Sequence, residues 1–395
     1  MVELSTRINQ IQDSPTLAIS AEAKRLKEEG RDIIGLGAGE PDFETPQHVK
    51  KAGIDAIKEG FTTYTSTTGI KELQEAVCTR FKEDKGLEYD PEQVIISNGA
   101  KQSLFNVLQA IINPGDEVIL PVPYWVSYPE QIKFAQGRPV KVKTVEEKGF
   151  KLTAKQLKEA ITPQTRALII NSPNNPTGAV YTEQELLELA EIIVEEDILV
   201  IADEIYQKIS YQQEAISIAA LGPKIKERTI VIDGVSKAYA MTGWRIGYAV
   251  GPQDIIAAMG RLQSHSTSNA NSIAQRASLA ALLGSQEPTV TMKDAFNQRR
   301  EIIVNGLNQI SGMQVLNPAG AFYVFVNIEG LVGKVIADQE VTDDQKLAEL
   351  LLQKAGVATI PGSAFGQEGH LRLSYAVSEE QITEAIKRIG SLLNK

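Results

Sequence analysis

The sequence contains few of the residues from which disulfide frameworks and metal sites are built. Cys78 is the single cysteine among 395 residues, so no intrachain disulfide can form, and its apolar neighbours predict a packed thiol. The three histidines, His48, His265 and His370, lie far apart and show no ligand-like spacing. The sequence therefore excludes a disulfide-stabilised fold, and we expect no metal centre.

Long apolar runs and basic clusters are also missing. No segment approaches about 18 consecutive apolar residues, and residues 1–16 are polar without an apolar signal core. Acidic residues outnumber basic ones by 50 to 40, which gives a formal net charge of −10 and disfavours binding to nucleic acid. We therefore expect a cytoplasmic protein that has neither a nucleic acid nor a membrane as its partner.

Short apolar segments alternate with helical patterns through the first 285 residues. Helices are predicted from about residues 46, 71, 101 and 182, and strands at residues 94–97, 117–120, 166–170, 198–202 and 229–232. Gly86 predicts the end of the second helix, and Thr182 with Glu185 forms a capping box at the start of the fourth. This alternation indicates an α/β fold with a largely parallel sheet that helices cover on both faces.

The pattern changes after about residue 285. A long polar helix is followed by predicted strands at residues 322–328, 357–360 and 371–375 and by a final helix. We therefore predict a large domain at residues 46–285 and a smaller α+β domain at residues 286–395. Residues 1–45 are expected to join the small domain.

Lys237 is a candidate nucleophile because of the residues around it. It follows Ser236 in a run of small residues, and a second cation, Arg245, lies eight positions further on. Small neighbours let a ring-sized ligand reach the ε-amine, while a fixed cation nearby favours the neutral amine that forms Schiff bases. The same cation offers a site for an anion, so the arrangement suits a phosphorylated aldehyde cofactor.

A second anion-binding feature comes directly after the predicted strand at residues 94–97. Gly99, Ala100 and Lys101 open a helix there, and the amides at a helix N-terminus can face a phosphate. Arg245 would add a guanidinium suited to bidentate contact with the same phosphate. Ser236 would contribute a hydroxyl.

Several polar residues come just after predicted strands: Asn98, Asn171, Asp203 and Ser236. Ligands of parallel sheets collect at the carboxyl ends of the strands, so we expect these residues to meet at one site. A glycine-rich turn at residues 35–39 also follows a strand-like segment. Its spacing is not Gly-x-Gly-x-x-Gly and no helix follows it, which argues against a dinucleotide loop.

Four segments together resemble the class I pyridoxal-phosphate-dependent aminotransferases, and the resemblance covers nearly the whole chain. They are residues 234–247, with the pattern Ser-Lys…Gly-x-Arg-x-Gly, and residues 171–178, 203–206 and 372–375. The similarity is to the bacterial branch of aspartate aminotransferases that includes prephenate-accepting members. It implies a fold-type I architecture, pyridoxal 5′-phosphate as the cofactor and a homodimer with shared active sites.

The resemblance gives roles to the candidate residues around the cofactor. Lys237 would attach the cofactor and afterwards move a proton, and Asp203 would pair with the pyridine nitrogen. Tyr206 and Asn175 would hydrogen-bond the phenolic oxygen, and Asn175 would also reach the substrate carboxylate. Trp125 would stack on the ring, with core packing as the alternative for this side chain.

The remaining roles concern the substrate and the second subunit. Arg372 would clamp the α-carboxylate beside Gly39, and Tyr64 would reach the phosphate bound in the neighbouring subunit. Lys101 and Thr16 resemble the residues with which this branch binds acidic side chains. The alternative for Lys101 is a solvated lysine in the first helical turn.

We therefore expect an enzyme that moves an amino group between L-aspartate and 2-oxoglutarate in a two-stage cycle. The alternatives are a broader transaminase for aromatic amino acids, alanine or prephenate, and a lyase that uses the same cofactor. Prephenate-accepting relatives tend to carry a lysine where this chain has Gln12, which argues against prephenate. A non-enzymatic regulator would need an added DNA-binding domain, and the first 45 residues show no helix-turn-helix pattern.

Overall fold

A computed structural model describes residues 3–212 and 214–393. Within this part of the chain, the α-helices are α1 (Thr6–Asn9), α2 (Pro15–Glu28), α3 (Gln47–Lys58), α4 (Lys71–Lys85), α5 (Ala100–Ile111), α6 (Ser127–Phe134), α7 (Ala154–Ala160), α8 (Glu183–Glu195), α9 (Pro223–Lys226), α10 (Gln253–Ser264), α11 (Ser272–Leu283), α12 (Glu287–Asn308), α13 (Asp344–Leu350) and α14 (Glu379–Leu393). A π-helical turn at Leu351–Ala355 extends α13.

The strands of the same residues are β1 (Ile34–Gly35), β2 (Val94–Ser97), β3 (Glu117–Val122), β4 (Arg138–Lys143), β5 (Thr165–Asn171), β6 (Leu199–Asp203), β7 (Thr229–Gly234), β8 (Gly247–Val250), β9 (Gln314–Val315), β10 (Tyr323–Asn327), β11 (Val335–Ile336), β12 (Gln339–Glu340), β13 (Val357–Ala358), β14 (Ile360–Pro361) and β15 (His370–Ser374). None of the described helices is both long and apolar enough to cross a membrane.

The large sheet has seven strands in the order β2-β8-β7-β6-β5-β3-β4. The pairs among β7, β6, β5, β3 and β4 are parallel, whereas β8 runs antiparallel to both of its neighbours. Each central strand contains a continuous run of three or four buried apolar residues, as a sheet covered on both faces requires. The predicted largely parallel sheet is therefore confirmed.

Two helix ends show that local signals in the sequence set these elements. α4 spans Lys71–Lys85 and ends at Gly86, whose φ of +66° favours glycine. At the start of α8, the Thr182 hydroxyl accepts from the Glu185 amide at 3.3 Å, while the Glu185 carboxylate accepts from the Thr182 amide at 2.8 Å. The predicted capping box is confirmed.

A second, antiparallel sheet has the strand order β14-β15-β10-β9. The sequence predicts one strand over residues 357–360, and this prediction was wrong. β13 pairs with β1, whereas β14 pairs with β15, so the chain passes from one sheet to another at Thr359. A continuous apolar run does not reveal such a change of sheet, since both halves are buried.

The N-terminal segment packs on the C-terminal part of the chain. β1 runs parallel to β13, with Ile34 opposite Val357. Ala23 and Leu26 of α2 belong to an apolar cluster with Leu352. This contact is the one expected if residues 1–45 join the small domain, and the boundaries at residues 45 and 285 stay predictions.

The connection between β7 and β8 places the Lys237 segment against the start of α5. Gly234 pairs with Gly247 across the two strands. A Cβ on Gly234 would lie 2.9 Å from the Gly247 Cα, and a Cβ on Gly247 would clash with the backbone of Ala100. The turn at residues 235–246 is therefore held beside the N-terminus of α5, where a phosphate site is predicted.

Candidate active site

A cavity of about 330 Å³ lies at the carboxyl end of the large sheet. All predicted site residues except Tyr64 and Gly99 line it: Thr16, Gly39, Ala100, Lys101, Trp125, Asn175, Asp203, Tyr206, Ser236, Lys237, Arg245 and Arg372. The predicted convergence of these segments on one site is thus present in the fold.

Lys237 lies in the turn between β7 and β8. Its Nζ donates a hydrogen bond to the carbonyl oxygen of Gly39 at 2.5 Å. Burial lowers the pKa of Lys237 to about 8, with a smaller contribution from the positive charges of Arg245 and Arg372; the carboxylate of Glu40 acts in the opposite direction. A substantial fraction of the amine is therefore neutral near pH 8, as a nucleophilic lysine requires.

Asp203 is the last residue of β6 and is buried. One carboxylate oxygen accepts from the Tyr128 hydroxyl at 2.7 Å and the other from the Ile205 amide at 3.2 Å. Burial raises the pKa of Asp203 to about 6, although these two hydrogen bonds oppose the shift. The group is therefore mostly ionised at pH 7 and can pair with a cationic ring nitrogen.

The residue after Asp203 belongs to a buried ion cluster outside the cavity. Lys85, whose side chain is 3% exposed, pairs with Glu204 and lies 3.1 Å from the carboxylate of Asp233. Lys85 compensates the charge of one of these carboxylates, and burial raises the pKa of the Asp233 carboxyl. The negative charge of Glu204 is therefore taken up by Lys85, while Asp203 remains available to a ligand.

The start of α5 and Arg245 form an anion-binding cradle. Gly99 is the N-cap residue of α5 with φ of +84°, and a Cβ at this position would clash with the Arg245 guanidinium. Arg245 donates to the carbonyl oxygens of Thr242 at 2.9 Å and Asn98 at 3.4 Å, which fixes its orientation. Helix amides and a fixed guanidinium together match a phosphate group.

Arg372 forms a second anion site on β15. Its guanidinium donates to the Asn175 side-chain oxygen at 3.1 Å and to the Gly37 carbonyl oxygen at 2.6 Å. The guanidinium carbon lies 4.6 Å from the centre of the Tyr323 ring and 5.0 Å from that of Phe365. Because it is buried and its Nε has no hydrogen-bond partner, Arg372 is suited to a carboxylate ligand.

Lys101 lies in the first turn of α5, at the mouth of the cavity. Its Nζ is 4.8 Å from the centre of the Trp125 ring. Burial lowers the pKa of Lys101, and the charge of Arg245 adds to the effect. Thr16, whose hydroxyl is 2.9 Å from that of Ser14, lines the cavity near the start of α2.

Two predicted residues do not line the cavity. Gly99 lies directly before Ala100, and its backbone is in close contact with the Arg245 guanidinium. The Tyr64 side chain is 90% exposed and does not line the cavity. Its predicted role requires a second subunit, so it stays a prediction.

Sequence reasoning missed two tyrosines that contact the site. Tyr128 donates to Asp203, and the Tyr323 hydroxyl lies 2.8 Å from that of Tyr206. Tyr128 lies in the first turn of α6, three residues after Trp125, and no pattern around it indicates that it contacts Asp203. No local signal distinguishes Tyr323 from the apolar strand around it, because its partner comes from a distant segment.

The glycine-rich turn at residues 35–39 contributes carbonyl groups. Gly37 accepts from Arg372 and Gly39 accepts from Lys237. A dinucleotide loop would instead present amides to a phosphate. The turn therefore holds the two cations in place, in agreement with the prediction that it is not a dinucleotide site.

The cavity carries an excess of positive charge, although the chain as a whole has a net charge of −10. Four cations line it: Lys101, Lys237, Arg245 and Arg372. Within residues 3–212 and 214–393, none of them has a carboxylate within ion-pair distance. Unpaired cations around one cavity indicate an anionic ligand with several charged groups.

Comparison with known proteins agrees with this geometry. Residues 31–389 match the family model described as aminotransferase class I and II. The chain is 49% identical to the aspartate/prephenate aminotransferase of Nitrosomonas europaea over all of both chains. It is 50% identical to the aspartate aminotransferase of Geobacillus stearothermophilus over 98% of each.

Solved structures show the same architecture. The aspartate aminotransferase of Rhizobium meliloti superposes with a TM-score of 0.97 at 43% identity, covering 100% of this chain and 99% of that one. The Thermus thermophilus enzyme crystallised with maleate gives a TM-score of 0.94 at 44% identity, with both chains fully covered. The fold-type I architecture implied by the sequence resemblance is confirmed.

The lowered pKa of Lys237 predicts how its labelling depends on pH. Acylating reagents attack the neutral amine, so acetylation of Lys237 by dilute acetic anhydride should rise through about pH 8 and then level off. Exposed lysines that behave as in model peptides should gain reactivity up to about pH 10.4. Peptide mass spectrometry over the pH series measures both profiles, and identical profiles would contradict the assignment.

Proposed function

Because the chain belongs to the class I and II aminotransferases, we propose that it exchanges amino groups between L-aspartate and 2-oxoglutarate with pyridoxal 5′-phosphate as its cofactor. The products would be oxaloacetate and L-glutamate, formed in a ping-pong cycle. One observation carries the proposal: a single cavity joins a lysine of lowered pKa, a phosphate-type cradle and a buried guanidinium without a carboxylate partner.

The residues of the cavity fit each part of the cofactor. The start of α5, Ser236 and Arg245 would hold the phosphate, and Trp125 would cover one face of the ring. Asp203 would pair with the ring nitrogen, and Lys237 would form the covalent attachment. When bound, the cofactor supplies an aldehyde carbon that bonds to amines and a protonated ring that accepts electrons from the substrate Cα.

The protein's own groups would bind the substrate and move its protons. Arg372, oriented by Asn175 and Gly37, would hold the α-carboxylate through a two-point contact. This contact would direct the Cα–H bond towards Lys237. Once the substrate amine has replaced it, the neutral Lys237 Nζ would take the proton from Cα.

Asp203 would keep the proton on the ring nitrogen throughout. Its hydrogen bonds from Tyr128 and the Ile205 amide hold the carboxylate in one orientation. They also oppose the rise in pKa that burial causes, so that the carboxylate is ionised at neutral pH. A fixed anion in a buried site interacts more strongly with the ring cation than it would in water.

Lys101 would select the acidic side chain. It lines the same cavity as Thr16, and its Nζ lies 4.8 Å from the centre of the Trp125 ring. Relatives named aspartate aminotransferase and aspartate/prephenate aminotransferase support an acidic substrate. A broader transaminase is the competing proposal, and its rates with phenylalanine and alanine distinguish it.

The exposure of Tyr64 supports a homodimer. The Tyr64 side chain is 90% exposed, so its hydroxyl is free to contact a second subunit. In the proposed dimer, Tyr64 would reach the phosphate bound by the second subunit, so that each site would need both chains.

Reductive labelling tests the attachment. Incubation with pyridoxal 5′-phosphate followed by borohydride should label one peptide, the one that contains Lys237, and the Lys237→Arg variant should lose both the label and turnover of aspartate with 2-oxoglutarate. Labelling of Lys101 instead, or of no peptide, would contradict the proposed function. Release of pyruvate or ammonia without an amino acceptor would indicate a lyase.

The Asp203→Asn variant tests the ring contact. It keeps the shape of the side chain but removes its charge, so the cofactor should still bind while kcat falls by about a thousandfold or more, equivalent to roughly 4 kcal/mol. Glu117→Gln is a matched control, because Glu117 is also buried but starts β3 at the opposite end of the sheet. Near-normal kcat in Asp203→Asn would refute the role.

The Lys101→Met variant tests specificity. Losing the partner of the distal carboxylate should lower kcat/KM for aspartate and glutamate by about tenfold, the lower end for a charged hydrogen bond, because Lys101 keeps contact with water. Rates with phenylalanine and alanine should stay unchanged. Lys141→Met is the control, since Lys141 lies over the Tyr124 ring in a similar pair outside the cavity. Equal losses of kcat/KM for acidic and neutral substrates would show that Lys101 has a structural role instead.

A further inference from the structure

Tyr323 lies between Tyr206, which would contact the cofactor, and Arg372, which would contact the substrate. It is the first residue of β10, is fully buried and lines the cavity. Its hydroxyl oxygen lies 2.8 Å from that of Tyr206, and its ring lies against the Arg372 guanidinium at 4.6 Å. No other described side chain makes direct contacts of this kind with both Tyr206 and Arg372.

The direction of the hydrogen bond between the two tyrosines follows from counting protons. Each phenol has one proton to donate. If Tyr206 donates its proton to the cofactor's phenolic oxygen, it can only accept from Tyr323. The Tyr323 proton is then directed at Tyr206, and two hydrogen bonds run in series towards the cofactor, each strengthening the other.

The ring of Tyr323 has a separate effect on the substrate side. Arg372 lies between Tyr323 and Phe365, and this contact with two aromatic rings restricts the plane of the guanidinium. The hydroxyl also packs on the glycine-rich turn, since a Cβ on Gly39 would lie 2.8 Å from it. The same turn accepts the hydrogen bond from Lys237.

From these contacts we propose that Tyr323 is a positioning residue with two separable parts. Its hydroxyl directs the Tyr206 proton to the cofactor, and its ring orients Arg372 for the substrate α-carboxylate. The inference rests on the proposed function, because it assumes that pyridoxal 5′-phosphate binds at Lys237.

The Tyr323→Phe variant separates the hydroxyl from the ring. Without the Tyr323 donor, Tyr206 would stabilise negative charge on the cofactor's phenolic oxygen less well. The proton between that oxygen and the Lys237 nitrogen would therefore be held more tightly. The pH midpoint of the visible absorbance change of the loaded protein should therefore rise by about half a unit to one unit. The Kd for maleate, a dicarboxylate without an amine, should change less than about twofold, because the ring remains.

The Tyr323→Leu variant removes the ring as well. Its Kd for maleate, measured from the change in absorbance, should rise by about fivefold or more, since Arg372 loses one of its two aromatic contacts. The pH midpoint should shift as it does in Tyr323→Phe. Equal maleate affinity in the Leu and Phe variants would overturn the role of the ring.

Tyr375→Phe is the matched control. The hydroxyl of Tyr375 lies 3.1 Å from that of Tyr211, so this variant also breaks a buried tyrosine pair, but outside the cavity. It should leave the pH midpoint and the maleate Kd unchanged, even if the melting temperature falls. A shift as large as that of Tyr323→Phe would show a general structural effect and overturn the proposal.

Different results test cofactor binding and the role of the Tyr323 hydroxyl. If the unmodified protein develops no visible absorbance with pyridoxal 5′-phosphate, the proposed function fails. If it does, and Tyr323→Phe titrates at the same pH as the unmodified protein, only the role of the Tyr323 hydroxyl is overturned.

Discussion

The site depends on a close contact between backbones that only glycine permits. Gly247 at the start of β8 lies against the first residue of α5, where a Cβ would meet the Ala100 backbone. Gly234 lies equally close to Gly247 on the neighbouring strand. Any larger residue would push α5 away from the turn that carries Lys237. Without this contact, the phosphate cradle and the nucleophile would not face the same cavity.

The distribution of charged side chains around the cavity then decides which ligands it can bind. Asp203 and Glu204 are adjacent, and successive side chains of an extended segment point to opposite faces. Glu204 turns away from the cavity and its charge is compensated by Lys85, whereas Asp203 turns into it. Lys85 thus takes up the charge of Glu204, but the cations of the cavity have no carboxylate partners among the described residues. Lys237 and Arg372 have only uncharged hydrogen-bond partners, so an anionic ligand would offset the cost of burying their charges, which makes binding selective for charge.

The sequence predicted those parts of the fold that local chemistry determines. The limits of α4 follow from its amphipathic pattern and from Gly86, and the buried strands follow from their apolar runs. β4 and β8 were missed for opposite reasons. β4 is an edge strand in which lysine and arginine alternate with apolar residues, and β8 is short and begins at a glycine that belongs to the turn motif. Contacts between distant segments, such as Tyr206 with Tyr323, leave no periodic signal at all.

The cavity residues come from three parts of the structure, and each part has a different proposed role. The strand ends of the large sheet supply Asp203 and Lys237, the groups proposed for the chemistry. The antiparallel sheet supplies Arg372 and Tyr323, which would fix the α-carboxylate. Side-chain selection would fall to Thr16 near the start of α2 and to Lys101 at the cavity mouth. Because the selecting residues belong to helix starts outside the sheets, they can change without disturbing the strand ends. Relatives with one fold and different substrates are the expected consequence.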